Sequence, residues 1–152
     1  MSATQRSTGW IDMARDGGLR QLFAQHLPEA HWQSVETWST GSGVPDAEYC
    51  FPGGHQGWIE FKTTEAIAVS ISPGQVAWAE RRLRAGGRIS LAVRQKAEPG
   101  KRRAARDALY FYHGSAFRNV LNDGLKVKPL GLWTGNPGGW DWAKIKLLLI
   151  MK

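Results

Sequence analysis

Apolar residues at helical spacing mark the first element. Ile11, Ala14, Leu19, Leu22, Phe23 and Leu27 recur along residues 11–27 and predict an amphipathic helix. Gly17-Gly18 weakens its middle, so the firm part is expected to start near there, and Pro28 ends it. From His31 to Trp38 the period changes to two: Trp32, Ser34, Glu36 and Trp38 share one face and Val35 and Thr37 the other, which predicts a strand. Thr40-Gly41-Ser42-Gly43 is a turn, and Pro45 holds Val44 extended. Asp46–Phe51 and Gly57–Thr63 read as two more strands joined through Pro52-Gly53-Gly54. Ser72-Pro73-Gly74-Gln75 opens a second helix: serine caps, proline suits the first helical position and Gln75 completes a capping box. That helix continues through Val76, Ala77, Trp78 and Leu83 and stops at Gly86-Gly87. Ile89–Val93 predicts a short buried strand, the polar and basic stretch Arg94–Asp107 a loop, and Leu109–Tyr112 a further strand. Ser115–Leu121 and Trp142–Met151 read as helices around a Gly-rich connection.

The order is helix, three strands, helix, strand, strand. Sequential strands favour an antiparallel meander, and a strand reached across a helix favours parallel addition. The expected fold class is therefore α/β with a central mixed sheet flanked by helices. The 152 residues suffice for one domain, with a core at about 12–113 and an extension, 114–152, packed on it. The single cysteine, Cys50, forbids an internal disulfide or a cysteine-based zinc site and is expected to be a small buried hydrophobe. Met1–Thr8 lack the apolar run of a signal peptide, and the longest apolar run, Leu147–Met151, is too short for a bilayer. The expectation is a soluble, cytoplasmic protein with no membrane partner. Lysine and arginine number 20 against 13 acids, a net charge of +7, which favours a polyanionic partner such as nucleic acid over a generic basic surface.

Chemistry concentrates in Gly43-Val44-Pro45-Asp46 and Trp58-Ile59-Glu60-Phe61-Lys62. On a strand, Glu60 and Lys62 point to one side, roughly 7 Å apart along the backbone, and Ile59 and Phe61 to the other. Phosphodiester hydrolysis needs a divalent cation, and magnesium takes oxygen ligands while keeping several waters. Asp46 and Glu60 suit that task, with the Phe61 carbonyl as a third ligand. Lys62 suits holding or deprotonating the attacking water, or stabilising the phosphate. The plain alternative is an exposed strand on which Glu60 and Lys62 form a weak surface pair.

The pattern Gly-Val-Pro-Asp46, Trp-Ile-Glu60-Phe-Lys62 and Ile-Ser-Pro-Gly-Gln75-Val-Ala-Trp resembles the PD-(D/E)XK nuclease superfamily. Within it, the chain is most similar to small stand-alone VRR-NUC-type and Holliday-junction-resolvase-like nucleases, over roughly residues 12–113. The resemblance implies a restriction-endonuclease-like α-β-β-β-α-β core, the order read above. It implies a DNA endonuclease dependent on Mg²⁺ or Mn²⁺, with Asp46 and Glu60 on the metal and Lys62 as the catalytic lysine. Gln75 matches a glutamine that faces the site in some members; its alternative role is the capping box alone. Many members add an acid from the first helix. Asp12 and Asp16 are the candidates here, or Glu36 on the preceding strand. The resemblance also implies a homodimer suited to branched DNA and an origin in phages or prophages.

Two basic groups are candidates for DNA contact: Arg81, Arg82, Arg84 and Arg88 at the end of the second helix, and Lys101, Arg102, Arg103 and Arg106 before the last core strand. Such clusters bind phosphates without reading sequence, although a solvated helix face explains the first group equally well. Trp133, Trp140 and Trp142 suit stacking on a base, but more readily cover the core. His26, His31, His55 and His113 have no ligand spacing. Two further possibilities stand beside a DNA endonuclease: a non-catalytic DNA-binding module, and an exonuclease or RNA-directed enzyme of the same superfamily.

Overall fold

Strand residues alternate between two apolar faces, so the sheet they form must be covered on both sides. A computed structural model of the protein describes residues 16–35 and 43–151. Its elements are α1 (Leu19–His26), β1 (His31–Ser34), β2 (Ala47–Phe51), β3 (His55–Thr64), α2 (Pro73–Arg84), β4 (Ile89–Ala97), β5 (Arg106–His113), α3 (Phe117–Asp123), β6 (Gly131–Thr134) and α4 (Trp142–Ile150). The six strands form one sheet in spatial order β1 to β6. Every neighbouring pair is antiparallel except β3 and β4, which run parallel because α2 carries the chain back between them.

One face of the sheet carries Ala47, Tyr49, Phe51, Ile59, Phe61, Leu109 and Phe111, packed with Leu19 and Phe23 of α1 and Ile145 and Leu149 of α4. The other carries Ile89, Leu91, Val93 and Tyr112 under Val76 and Ala79 of α2 and Phe117 and Val120 of α3. The Tyr49 hydroxyl donates to the Leu149 carbonyl at 2.6 Å, tying the C-terminal helix to β2. Trp140 is buried, and the ring of Trp142 packs edge-on against Phe23 and stacks on His26, so both tryptophans cover the core.

The helix-strand order and the mixed sheet agree with the sequence expectations; several boundaries do not. The stretch expected as a loop from Arg94 begins as strand, because β4 continues to Ala97 and β5 starts at Arg106. Arg94 stays inside the ladder because its guanidinium is satisfied there. It donates to Asp107 from Nε at 2.9 Å and from Nη2 at 2.8 Å, and to the Gly17 carbonyl from Nη1 at 2.6 Å. The Gly-rich connection contains the sixth strand, whose Leu132 and Trp133 pair with Tyr110 and Leu109. Cys50, expected to be buried, is half-exposed, because it points away from the Tyr49 and Phe51 face. Trp32 lies on the α1 face, against Phe23 and Tyr49. Glu36, Trp38 and Asp12 fall outside the described residues, as does the first part of the predicted helix. No helix among the described residues is long and apolar enough to cross a membrane.

Gly43 joins the loop before β2 to the start of α2. Its φ is +87°, and a Cβ there would stand 2.1 Å from the Gly74 carbonyl oxygen. Replacing Gly43 with alanine therefore combines left-handed strain with a backbone clash. Gly43→Ala is expected to destabilise the protein by about 2 kcal/mol or more, measured by urea unfolding; an unchanged midpoint would show that the two segments do not touch.

Candidate active site

Asp46 stands immediately before β2, and the antiparallel register Ala47↔Ile59 brings it beside Glu60 of β3. The Phe61 amide donates to Asp46 Oδ2 at 2.9 Å, fixing one carboxylate oxygen and leaving Oδ1 available. An extended residue sends its N–H and C=O to the same edge, so the Phe61 carbonyl is turned to the Asp46 side. Ile59 and Phe61 go to the α1 face, as the alternation requires, and Glu60 and Lys62 to the α2 face.

Helix α2 begins directly over Glu60. Ser72 Oγ accepts from the Gln75 amide at 3.1 Å, and Gln75 Oε1 accepts from the Ser72 amide at 3.0 Å, completing the capping box. The other end of the same Gln75 amide group, Nε2, donates to Glu60 Oε1 at 2.9 Å. The two roles weighed for Gln75 thus coexist, because a side-chain amide has both an acceptor and donors. Lys62 Nζ lies 3.6 Å from the same Glu60 oxygen.

Glu60 is only 3% exposed, which removes the solvated surface pair as an account of it. Its Oε2 is buried without any hydrogen-bond partner. Burial, reinforced by the Asp46 charge and opposed by Lys62, pushes the Glu60 carboxyl up to about 8.

The first helix contributes two groups. Asp16 is buried, accepts from the Gly18 amide at 2.9 Å, and has its carboxyl raised by that burial. Arg20, one helical turn on, lies between Asp16 and Asp46, with Nε 3.7 Å from Asp16 Oδ2 and Nη2 3.8 Å from Asp46 Oδ1. Sequence reasoning weighed Asp16 but overlooked Arg20. The signal was present as Asp-x-x-x-Arg, the spacing at which opposite charges meet on one helix face. Glu48 is peripheral: it accepts from Gln56 Nε2 across the β2–β3 hairpin and does not reach Glu60.

The donor set fits a hard divalent cation. Every free ligand atom is oxygen, and the unpartnered Glu60 Oε2 is a buried acceptor that an ion would satisfy. Among the described residues no three His, Cys, Asp or Glu side chains converge. Two carboxylates suit an ion that retains water, as magnesium does.

The two basic groups lie at opposite ends of the sheet. Arg88 precedes β4, whereas Lys101, Arg102 and Arg103 in the turn after it and Arg106 at the start of β5 lie a strand length of about 30 Å away. Near α2's end, Arg82 stacks over Trp78 at 4.5 Å and over Trp58 at 5.5 Å. Arg88 donates to the carbonyls of Gln56 and Ile150. These two arginines have structural work; Arg81 and Arg84 are exposed. The turn between β4 and β5 is closed by the Gly100↔Arg103 bridge, and its three cations and the adjoining Arg106 are all exposed. A groove of about 540 Å³ is lined by Thr63, Thr64, Glu65, Lys96 and Glu98, at the C-terminal ends of β3 and β4.

No family model, no curated protein and no solved structure matches the chain.

The Glu60 environment has a pH signature. Its folded-state pKa lies above the unfolded value of 4.5, so the folded protein holds a proton that the unfolded chain has lost. Without metal, stability should therefore fall as pH rises from about 4.5 to about 8. Asp16 acts in the same direction. Glu60→Gln should flatten most of that slope, and saturating Mn²⁺ should flatten it in the wild type. Melting temperatures across this pH range would check both; a wild-type curve that rises toward pH 8 would contradict the burial of a carboxyl with one oxygen unpartnered.

Proposed function

We propose that the protein is a divalent-metal-dependent DNA endonuclease of the PD-(D/E)XK type. The observation that carries this is the convergence of half-exposed Asp46 and Lys62 on the buried Glu60 beneath the capped end of α2. The restriction-endonuclease-like core is supported by the α-β-β-β-α-β order and by the parallel β3–β4 pair that α2 connects. Burying Glu60 beside a second acid and a lysine serves no stabilising purpose that an apolar residue would not serve better. Such an arrangement is characteristic of sites where ionisation is tuned for chemistry.

Asp46 Oδ1 and Glu60 Oε2, with the Phe61 carbonyl beside them, would hold Mg²⁺ or Mn²⁺. Bound there, the ion would neutralise charge on the phosphate and lower the pKa of a coordinated water. Lys62, anchored on Glu60 and partly open to solvent, would orient that water and stabilise charge on the phosphate. Gln75 would hold the Glu60 carboxylate in one rotamer. The exposed cations from Lys101 to Arg106 would take the flanking DNA backbone. A homodimer would offer two such centres to the two strands of a branched substrate.

The test is cleavage of plasmid, single-stranded and four-way-junction DNA with Mg²⁺, Mn²⁺ or EDTA. Metal-dependent cutting is expected, and Asp46→Asn or Lys62→Met should each reduce the rate by about 10²–10³-fold while the far-ultraviolet dichroism is retained. Substrates that bind but are never cut would identify a non-catalytic DNA-binding module instead.

The turn makes a separate prediction. Replacing Arg102, Arg103 and Arg106 with alanine should weaken binding to all DNA sequences alike. It should also lower the slope of log affinity against log salt by about 0.9 for each phosphate that is no longer neutralised. Fluorescence anisotropy from low to moderate salt would measure this. An unaltered slope would assign the DNA contact elsewhere.

A further inference from the structure

Arg20 has more hydrogen-bonding capacity than its surroundings use. Its approaches to Asp16 and Asp46, at 3.7 Å and 3.8 Å, are too long for hydrogen bonds. Its Nε is buried with no acceptor at all. A guanidinium leaves five donors in a rigid fork, and here that fork is held between two carboxylates without closing on either. The backbone beneath it cannot adjust, because Leu19 and Phe23, on either side of Arg20 in the same short helix, are fully buried. Only the side chain can move.

The oxygens that Arg20 faces are the free ones. Asp16 spends Oδ1 on the Gly18 amide and Asp46 spends Oδ2 on the Phe61 amide, leaving Asp16 Oδ2 and Asp46 Oδ1 toward the guanidinium. Asp46 Oδ1 is also the atom available to a divalent ion. A cation on Asp46 and the guanidinium of Arg20 therefore compete for the same negative charge. Lys62 has a different anchor, Glu60 Oε1, and does not share that competition.

Resting on the nuclease reading, we infer that Arg20 is a further catalytic residue, the one that grips the scissile phosphate. In the metal-free protein it is parked between Asp16 and Asp46 as a tethered counter-charge. With a metal ion on Asp46 Oδ1, the Nη2 side of the fork would lose its counter-charge and turn to the non-bridging oxygens of the phosphate, while Asp16 would still tether the Nε side. Those oxygens match its geometry in a bidentate way that the staggered carboxylates do not. Two cations of the site then have separate tasks: Lys62 on the water side and Arg20 on the phosphate.

The test uses the full chain, with Mn²⁺ alone as the probe in calorimetry and a cleavable DNA in single-turnover kinetics. Arg20→Gln removes the competitor, so Mn²⁺ should bind about ten-fold more tightly. The same variant should cut about 100-fold more slowly at saturating Mn²⁺, because a transition-state interaction is gone. Arg20→Lys keeps the charge without the fork, so its Mn²⁺ affinity should match the wild type while its cleavage rate falls about ten-fold. A purely structural arginine predicts the reverse for metal: Arg20→Gln would loosen the site and weaken Mn²⁺ binding. Unchanged or weaker Mn²⁺ binding by Arg20→Gln, or full-speed cleavage by it at saturation, overturns the inference. If Arg20→Gln does not fold, an Arg20→Lys variant that cuts at the wild-type rate overturns it equally. If the wild type neither binds Mn²⁺ nor cuts DNA, the nuclease reading itself has failed; a wild type that does both, beside an indifferent Arg20→Gln, isolates the failure to Arg20.

Discussion

A carboxyl group taken out of water has three ways to exist: protonated, paired with a cation, or bound to a metal. Glu60 is placed where these options compete. Gln75 and Lys62 share one of its oxygens, the other has no partner, and Asp46 adds a second negative charge alongside. Much of the architecture serves to hold this unfavourable pair in position. The β2–β3 register sets Asp46 beside Glu60, the parallel crossover sets the start of α2 above it, and Gly43 lets the two segments touch. Each of these is a backbone constraint, and together they keep Glu60 out of water.

The distribution of positive charge follows a different logic. A net charge of +7 suggests a uniformly basic surface, but the arginines divide by task. Arg94 and Arg88 satisfy backbone carbonyls, Arg82 lies on tryptophan faces, and Arg118 pairs with Glu80. The cations of the β4–β5 turn have almost no such commitments: only Arg103 donates to a neighbouring carbonyl, that of Glu98. Surface charge left free at one end of a sheet is better suited to a long polyanion than the same charge spent on internal contacts.

Much of this was legible in the residues. Alternation marked β2 and β3, and Ser-Pro-Gly-Gln marked the start of α2 to the residue, because a capping box is a local device. Asp46, Glu60 and Lys62 were singled out by local pattern and Gln75 by its resemblance as well as its capping box, and the structure brings the four side chains together. What escaped notice depends on distant partners. Arg94 looks like loop until Asp107 and the Gly17 carbonyl are beside it. β6 has four residues, with Leu132 exposed and Trp133 half-buried, and gains its strand character from β5 rather than from its own sequence. Arg20 matters because of Asp46, which is remote in sequence and has no counterpart in the helix's own periodicity.

The bond from Arg94 to the Gly17 carbonyl spans 77 residues of chain, and the one from Tyr49 to Leu149 spans 100. During synthesis the ribosome releases Asp46, Glu60 and Gln75 well before the strand that fastens the first helix against them. Contacts of such long range close late, since the loop entropy must be overcome before they form. The acid pair lies on one local hairpin, β2–β3, whereas the helix that carries Arg20 gains its Arg94 fastening only once β4 is in place. A nascent or partly folded chain carries the chemistry in its sequence without yet holding it in one place.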